Sequence, residues 1–380
     1  MEQEIVSTRL NDVKTAVEDL CRQLKNPPAF YTNAVIFLAD ISYDFEGLSV
    51  LLKEKFSQAQ VIGCTTAGEI DASGFKNGSI VLTTMQDSST RVSSVLIEKG
   101  SKYPLAYKKD IENALKECGI PLNSPTSHLN AFALTFINAV YNSEETILSN
   151  FYSIIQNDDF PLAGATAGYT GSEAKSFISC NGKVTGDGAV MLFVKTKCKF
   201  TIQQEDMFNP TGKNVYVTKS DTVKRKIYEL DGKPALSVYA NELGLSEDKT
   251  KELSIESAFG RHINGSLHIA AVAAYGNDKS ISTYARIVPN STLEIMHVGD
   301  VEKKCDETCA SITRVIPKPK FVLLMNCILR TIYFGQKGYS SKIISKYKNA
   351  FPTFCGFSCY GEQIGRAHCS ETLVVLAIGD

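Results

Sequence analysis

The sequence predicts an α/β protein: two domains of mixed-sheet layers, built from repeated strand–helix–strand units with Gly-rich loops. Three observations predict it. An apolar strand, an amphipathic helix, a small-residue loop and a second apolar strand recur in that order three times along the chain. Glycines fall at matching places in the three units, at Gly68, Gly168 and Gly361. The 380 residues are 43% hydrophobic and 21% charged, the balance of a folded globular chain with room for two or three domains.

The first unit opens with a strand at 34–39, Ala-Val-Ile-Phe-Leu-Ala. Leu48, Leu51, Leu52 and Phe56 then lie on one helical face. The loop at 61–69 and a closing strand at 79–85 complete it. In the second unit a strand at 131–137 precedes a helix starting at Ser143. Glu144 and Glu145 stand in its first turn, where the helix dipole favours acids, and Ile147, Phe151, Ile154 and Ile155 form its apolar face. The loop 162–168 and a strand at 188–194 follow. The third unit has a strand at 321–327, a helix with Ile343, Ile344, Tyr347 and Phe351 inward, the loop 355–362, and a strand at 372–378. Pro161 and Pro352 end the second and third helices, because proline cannot continue one.

Val13, Val17, Leu20 and Leu24 mark a separate amphipathic helix. Between the second and third units, 214–218 and 226–230 read as short strands with a turn at Asp231-Gly232. Pro234 starts a helix over 235–243 and Gly244 caps it, and further strands are expected near 266–274 and 280–288. A boundary near 198 divides the chain into domains 1–198 and 199–380.

Composition excludes several functions. Forty basic residues against 41 acidic ones leave a net charge of −1, with no basic excess for nucleic acid or an anionic membrane. The densest basic run, Lys224-Arg225-Lys226, reads as a solvated turn or strand edge. No apolar stretch approaches the ~18 residues of a membrane helix. The acidic start of the chain is not a secretory signal, so a cytoplasmic location is expected, with all 11 cysteines reduced. Cys305 and Cys309 share a helical face but make only half a zinc site, so neither metal nor cofactor is expected.

Each loop joins glycines that let the backbone approach closely to side chains that hydrogen-bond: Cys64, Thr65 and Thr66, then Thr166, then Ser358. Any one loop alone reads as a tight turn. Three aligned loops point to a shared polar pocket for a carboxylate or phosphate. The third unit adds Cys327, Arg330, Tyr360, Glu362 and His368. Arg330 suits a bidentate carboxylate and Glu362 a cation, together a zwitterion. An internal Arg330–Glu362 salt bridge is the equal alternative. Enzyme motifs fail: GATAG at 164–168 is not GxGxxG, and no P-loop, HExxH or GxSxG occurs. Cys327 or Cys359 with His368 leaves a cysteine nucleophile as one alternative, and a protein-binding scaffold as another.

These residues resemble the FIST family, its N-terminal and C-terminal domains together. The resemblance is carried by Gly63–Glu69 as Gly-Cys-Thr-Thr-Ala-Gly-Glu, by 162–168 and 186–190, and by 217–218 with 229–235. Cys327-x-x-Arg330, Tyr360-Gly361-Glu362 and His368 before Thr372 complete it, so it runs from about residue 30 to 380. It implies a sensory module that binds a small polar metabolite, with amino acids as the implied ligands. Relatives often carry fused output domains. None is read after the last strand, so the signal is expected to pass to a separate output protein.

Overall fold

The computed structural model describes every residue except Ala29, Ser254, Asn264 and Asp380. Strands such as Ala34–Asp40, Ala131–Ile137 and Phe321–Cys327 are buried on both faces throughout. Runs of aliphatic and aromatic residues without alternation form such central strands, because both sides must be covered. These three, their parallel neighbours and their antiparallel closing strands build three six-stranded sheets with one strand order.

The first sheet runs Ile5–Thr8, Ile80–Met85, Ala34–Asp40, Gln60–Thr66, then the hairpin Ile178–Cys180 with Lys183–Thr185. The second runs Arg91–Glu98, Gly188–Lys195, Ala131–Ile137, Leu162–Thr166, then the hairpin Glu362–Ile364 with Ala367–Cys369. The third runs Lys199–Asp206, Thr372–Gly379, Phe321–Cys327, Cys355–Cys359, then the hairpin Glu69–Asp71 with Gly74–Lys76. In every sheet the last hairpin comes from another unit. The first unit lends to the third, the third to the second, and the second to the first. Strands from both halves of the chain therefore share sheets.

The inner faces meet in one core, where Ile36, Leu38, Leu134, Phe136, Leu323 and Met325 pack together. Helices cover the outer faces: Val13–Gln23 and Phe45–Lys55 on the first sheet, Lys108–Glu117 and Glu144–Ile155 on the second, Val301–Val315 and Ser340–Ala350 on the third. Asp12, Asp44 and Asp300 cap three of these helices by accepting from backbone amides of the first turn. The structure adds a helix that the sequence reading lacked, Ile328–Lys337, directly after the third central strand.

The segment between the second and third units closes into a barrel of its own. Phe208–Asp221, Thr292–Val298, Ser257–Ile263, Ser266–Tyr275, Ile281–Thr283 and Lys226–Leu230 pair in turn, and the first also pairs with the last. Leu236 and Tyr239 of helix Ala235–Leu243 pack among Val217, Ile227, Phe259 and Ile295 in its core. The strand expected at 280–288 ends at Thr283, where the Thr283 hydroxyl donates to the Ala285 carbonyl at 2.7 Å and the chain leaves the sheet.

Candidate ligand-binding cleft

The three small-residue loops meet, and they bind one another. The Ala67 amide donates to the Ser358 carbonyl at 2.9 Å, and the Ser358 amide to the Gly68 carbonyl at 2.7 Å. The Gly168 amide donates to the Thr65 carbonyl at 2.9 Å, the Thr166 amide to Gly361 at 2.8 Å, and the Tyr360 amide to Thr166 at 3.0 Å. The side chains are engaged too. Thr65 accepts from the Phe177 amide at 3.0 Å, Thr66 donates to Glu69, and Ser358 shares a 2.8 Å bond with Thr331. Thr166 donates to Glu144 at 3.2 Å and accepts from Gln363 at 2.9 Å. Cys64 packs in the central core.

Arg330 and Glu362 do not pair. Glu362 accepts from the Thr372 amide at 3.2 Å, the Thr372 hydroxyl at 2.6 Å and the Cys359 thiol at 3.0 Å, and burial pushes its carboxyl up to about 8. Arg330 is 1% exposed. Its Nε donates to Asn326 at 2.9 Å, its Nη2 forms an ion pair with Glu205, and its guanidinium lies 5.1 Å from the Phe334 ring centre. An arginine buried against one carboxylate this way holds structure together. His368 is buried, with Nδ1 3.0 Å from the Gln363 amide nitrogen and Nε2 3.3 Å from the Tyr284 carbonyl. Nδ1 therefore accepts and Nε2–H donates, and burial lowers the ring's pKa. Cys359 gives its proton to Glu362, so no thiol–imidazole bond forms there.

A cleft of about 430 Å³ opens beside this knot, between the barrel and the three-sheet body. Ala139, Asn142 and Glu144 line one side of it, from the turn that leads into helix Glu144–Ile155. Tyr169, Tyr360 and Ser370 come from the loops of the second and third units. Cys327, Ile328, Leu329 and Ile332 come from the start of helix Ile328–Lys337, and Arg225 and Tyr284 from the barrel. Of the residues singled out by sequence, the cleft takes Cys327 and Tyr360. Cys64, Thr65, Thr66, Thr166, Arg330, Ser358, Glu362 and His368 stand behind its wall.

The Tyr360 ring meets the Tyr169 ring edge-on at 4.8 Å, and its hydroxyl donates to the Tyr169 carbonyl at 2.8 Å. The helix Ile328–Lys337 begins at the cleft with no side-chain cap, leaving first-turn amides and the positive end of its dipole there. Burial, together with the nearby Glu362 carboxylate, raises the Cys327 thiol well above its ordinary range, although the Glu371 and Leu329 amides lie against it. A thiol so held is a poor nucleophile.

Arg225 corrects the sequence reading. The run Lys224-Arg225-Lys226 is not simply solvated: Arg225 is 5% exposed. Its Nη2 donates to Glu144 and Glu145, each at 2.6 Å, and its Nη1 to Asn142 at 3.1 Å. Burial works against this charge, but Glu144 and Glu145 outweigh it and hold the guanidinium protonated. The backbone makes the inward turn with φ +51 at Arg225. Arg286 adds a second grip, taking Glu145 on its backbone amide at 2.8 Å and Thr146 on its side chain at 2.8 Å.

Residues 33–233 match the FIST N domain and residues 235–365 the FIST C domain. The chain belongs to the FIST family. FIST domains are sensory domains that bind small ligands. A FIST relative by sequence is the uncharacterized protein MJ1623 of Methanocaldococcus jannaschii, 28% identical over 196 residues. That stretch is 50% of this chain and 36% of the relative, so the match spans about a third of the relative's length. Among solved structures, a cyanuric acid hydrolase from A. caulinodans aligns over 100% of this chain and 99% of its own, with a TM-score of 0.35 and 6% identity. PurLQS from Thermotoga maritima aligns over 99% of this chain and 72% of its own, with a TM-score of 0.20 and 9% identity. At those scores neither likeness bears on chemistry. Among the described residues, no group of three or more His, Cys, Asp or Glu side chains is placed to hold a metal ion, and no helix is long and apolar enough to cross a membrane.

Proposed function

We propose that this FIST protein is a cytoplasmic sensor whose ligand, a small polar metabolite, binds in the cleft between barrel and body. Amino acids are the first class to test. A separate output protein reads the bound state. One observation carries the reading: the cleft is walled by Arg225 and Tyr284 of the barrel on one side and by loops of the three-sheet body on the other. A ligand touching both bodies can favour one arrangement of them, and only such differential contact shifts a conformational equilibrium. The cysteine-nucleophile alternative finds less support, because the Cys327 thiol is held protonated and His368 is turned to Gln363 and Tyr284.

The test is a thermal-shift screen of amino acids and related metabolites against the wild type and Tyr284→Ala. Tyr284 is 39% exposed, so truncating it costs little stability. A ligand at about 100 times its dissociation constant adds about 2.7 kcal/mol to the folded state. The expected result is a shift in the wild type that Tyr284→Ala loses. A ligand that stabilises both proteins equally sits elsewhere, and the cleft assignment falls.

A further inference from the structure

The hydrogen-bonding groups of the cleft are one-sided: they are donors. The first-turn amides of helix Ile328–Lys337 stand at its wall without a side-chain cap. Arg225 lines the same wall, nine-tenths buried, and its Nε has no partner among the described residues. The Tyr169 and Tyr284 hydroxyls also find none among them.

The acceptor side is already taken. Glu144 is the carboxylate in the wall, and it is 2% exposed. Arg225 holds one of its oxygens at 2.6 Å and Thr166 the other at 3.2 Å. No free anion is left in the wall to receive an ammonium group. The rest of the lining is apolar or aromatic: Ala139, Ile328, Leu329, Ile332 and the tyrosine rings.

We infer that the cleft takes an organic acid by its carboxylate, with an aromatic or branched body, and that an α-ammonium group adds nothing to binding. This rests on the sensory reading of the cleft and narrows its ligand. The carboxylate belongs at the amide end of helix Ile328–Lys337, where dipole and N–H groups favour an anion, with Arg225 supplying full positive charge. The body lies along Tyr169, Tyr284 and Ile332. A volume of about 430 Å³ is in the range of small-molecule sites and leaves room for one ring beyond the carboxylate.

Three probes of one shape separate the ends of the ligand: 3-phenylpropionate, L-phenylalanine and phenethylamine. Isothermal titration of the full chain should give 3-phenylpropionate within about threefold of L-phenylalanine, and no heat from phenethylamine. Leu329→Asp places a competing carboxylate at the same amides and should weaken 3-phenylpropionate by at least about tenfold while the protein melts as before. Binding of phenethylamine, or a loss above about tenfold on removing the ammonium, overturns the proposal. If both acids fail, yet another metabolite stabilises the wild type and not Tyr284→Ala, the acid class is wrong and the sensory reading stands. If no metabolite does so, the sensory reading fails as well.

Discussion

Glu69 and Glu362 hold the same station in two different units. Each carboxylate reaches back three residues, to Thr66 or Cys359, and forward ten, to the amide and hydroxyl of Ser79 or Thr372. The Gly-Glu pairs that carry the family resemblance therefore fasten each loop to its closing strand. Tyr169 stands three residues after Thr166 in the second unit, and there the loop meets the cleft instead.

These staples make stability depend on pH. Burial raises the Glu69 carboxyl from 4.5 to about 7 and the Glu362 carboxyl to about 8. The folded chain keeps protons that the unfolded chain loses, so their contribution is full below pH 4.5 and is lost as pH rises through 7 and 8. Urea midpoints should fall between about pH 5 and 9, and Glu362→Gln should flatten that fall. A midpoint that climbs over this range contradicts the assignment.

Arg330 should behave as a structural residue. Arg330→Ala strands Glu205 as a buried, unpaired charge and should cost about 3–5 kcal/mol in denaturant titration. A loss under about 1 kcal/mol would mean that the pair contributes little, leaving the arginine free for a ligand.

Gly361 has φ +137, and a Cβ there would meet the Cys369 carbonyl at 2.9 Å and press on the His368 ring. Gly68, with φ +121, would meet the Lys76 carbonyl at 2.7 Å. Gly361→Ala and Gly68→Ala should each lower stability by about 1–3 kcal/mol, measured by thermal or urea melts. Unchanged melts would show that the interlocked loops tolerate a side chain.

All 11 cysteines are free. Thiol titration of the folded protein should find Cys21 and Cys198 reacting first, since these two are partly exposed and the other nine are buried. Unfolding without reductant should release all 11. Fewer titratable thiols in the unfolded chain would mean disulfides, and would count against a reducing compartment.

Central strands were legible because they are apolar on both faces, and the helices beside them because their apolar residues recur at helical spacing. The hairpin exchange was not. Segments such as Ile178–Cys180 and Ala367–Cys369 are three residues long, too short for any period, and their partners lie far away in sequence. Within the cleft, Cys327 and Tyr360 were found through their motifs. Arg225 was missed because flanking lysines gave it the look of a solvated turn, while the glutamates that draw it inward lie 80 and 81 residues away. Tyr284 sat inside an expected strand that ends one residue earlier. Arg330 was legible as a special residue, but its partner Glu205 is 125 residues distant, beyond the reach of any spacing rule.

The lending of hairpins around the three sheets weaves the chain into a closed ring. Removing one unit strips a neighbour of its outer hairpin and bares a strand edge that would seek another chain. Melting of any sheet loosens the next, so the body should come apart in one step and resist being cut into independently folding pieces. A weave of this kind also carries strain in a circle: a shift at the Glu362–Ile364 hairpin, beside the cleft, pulls at once on the sheet that owns it and the sheet that hosts it.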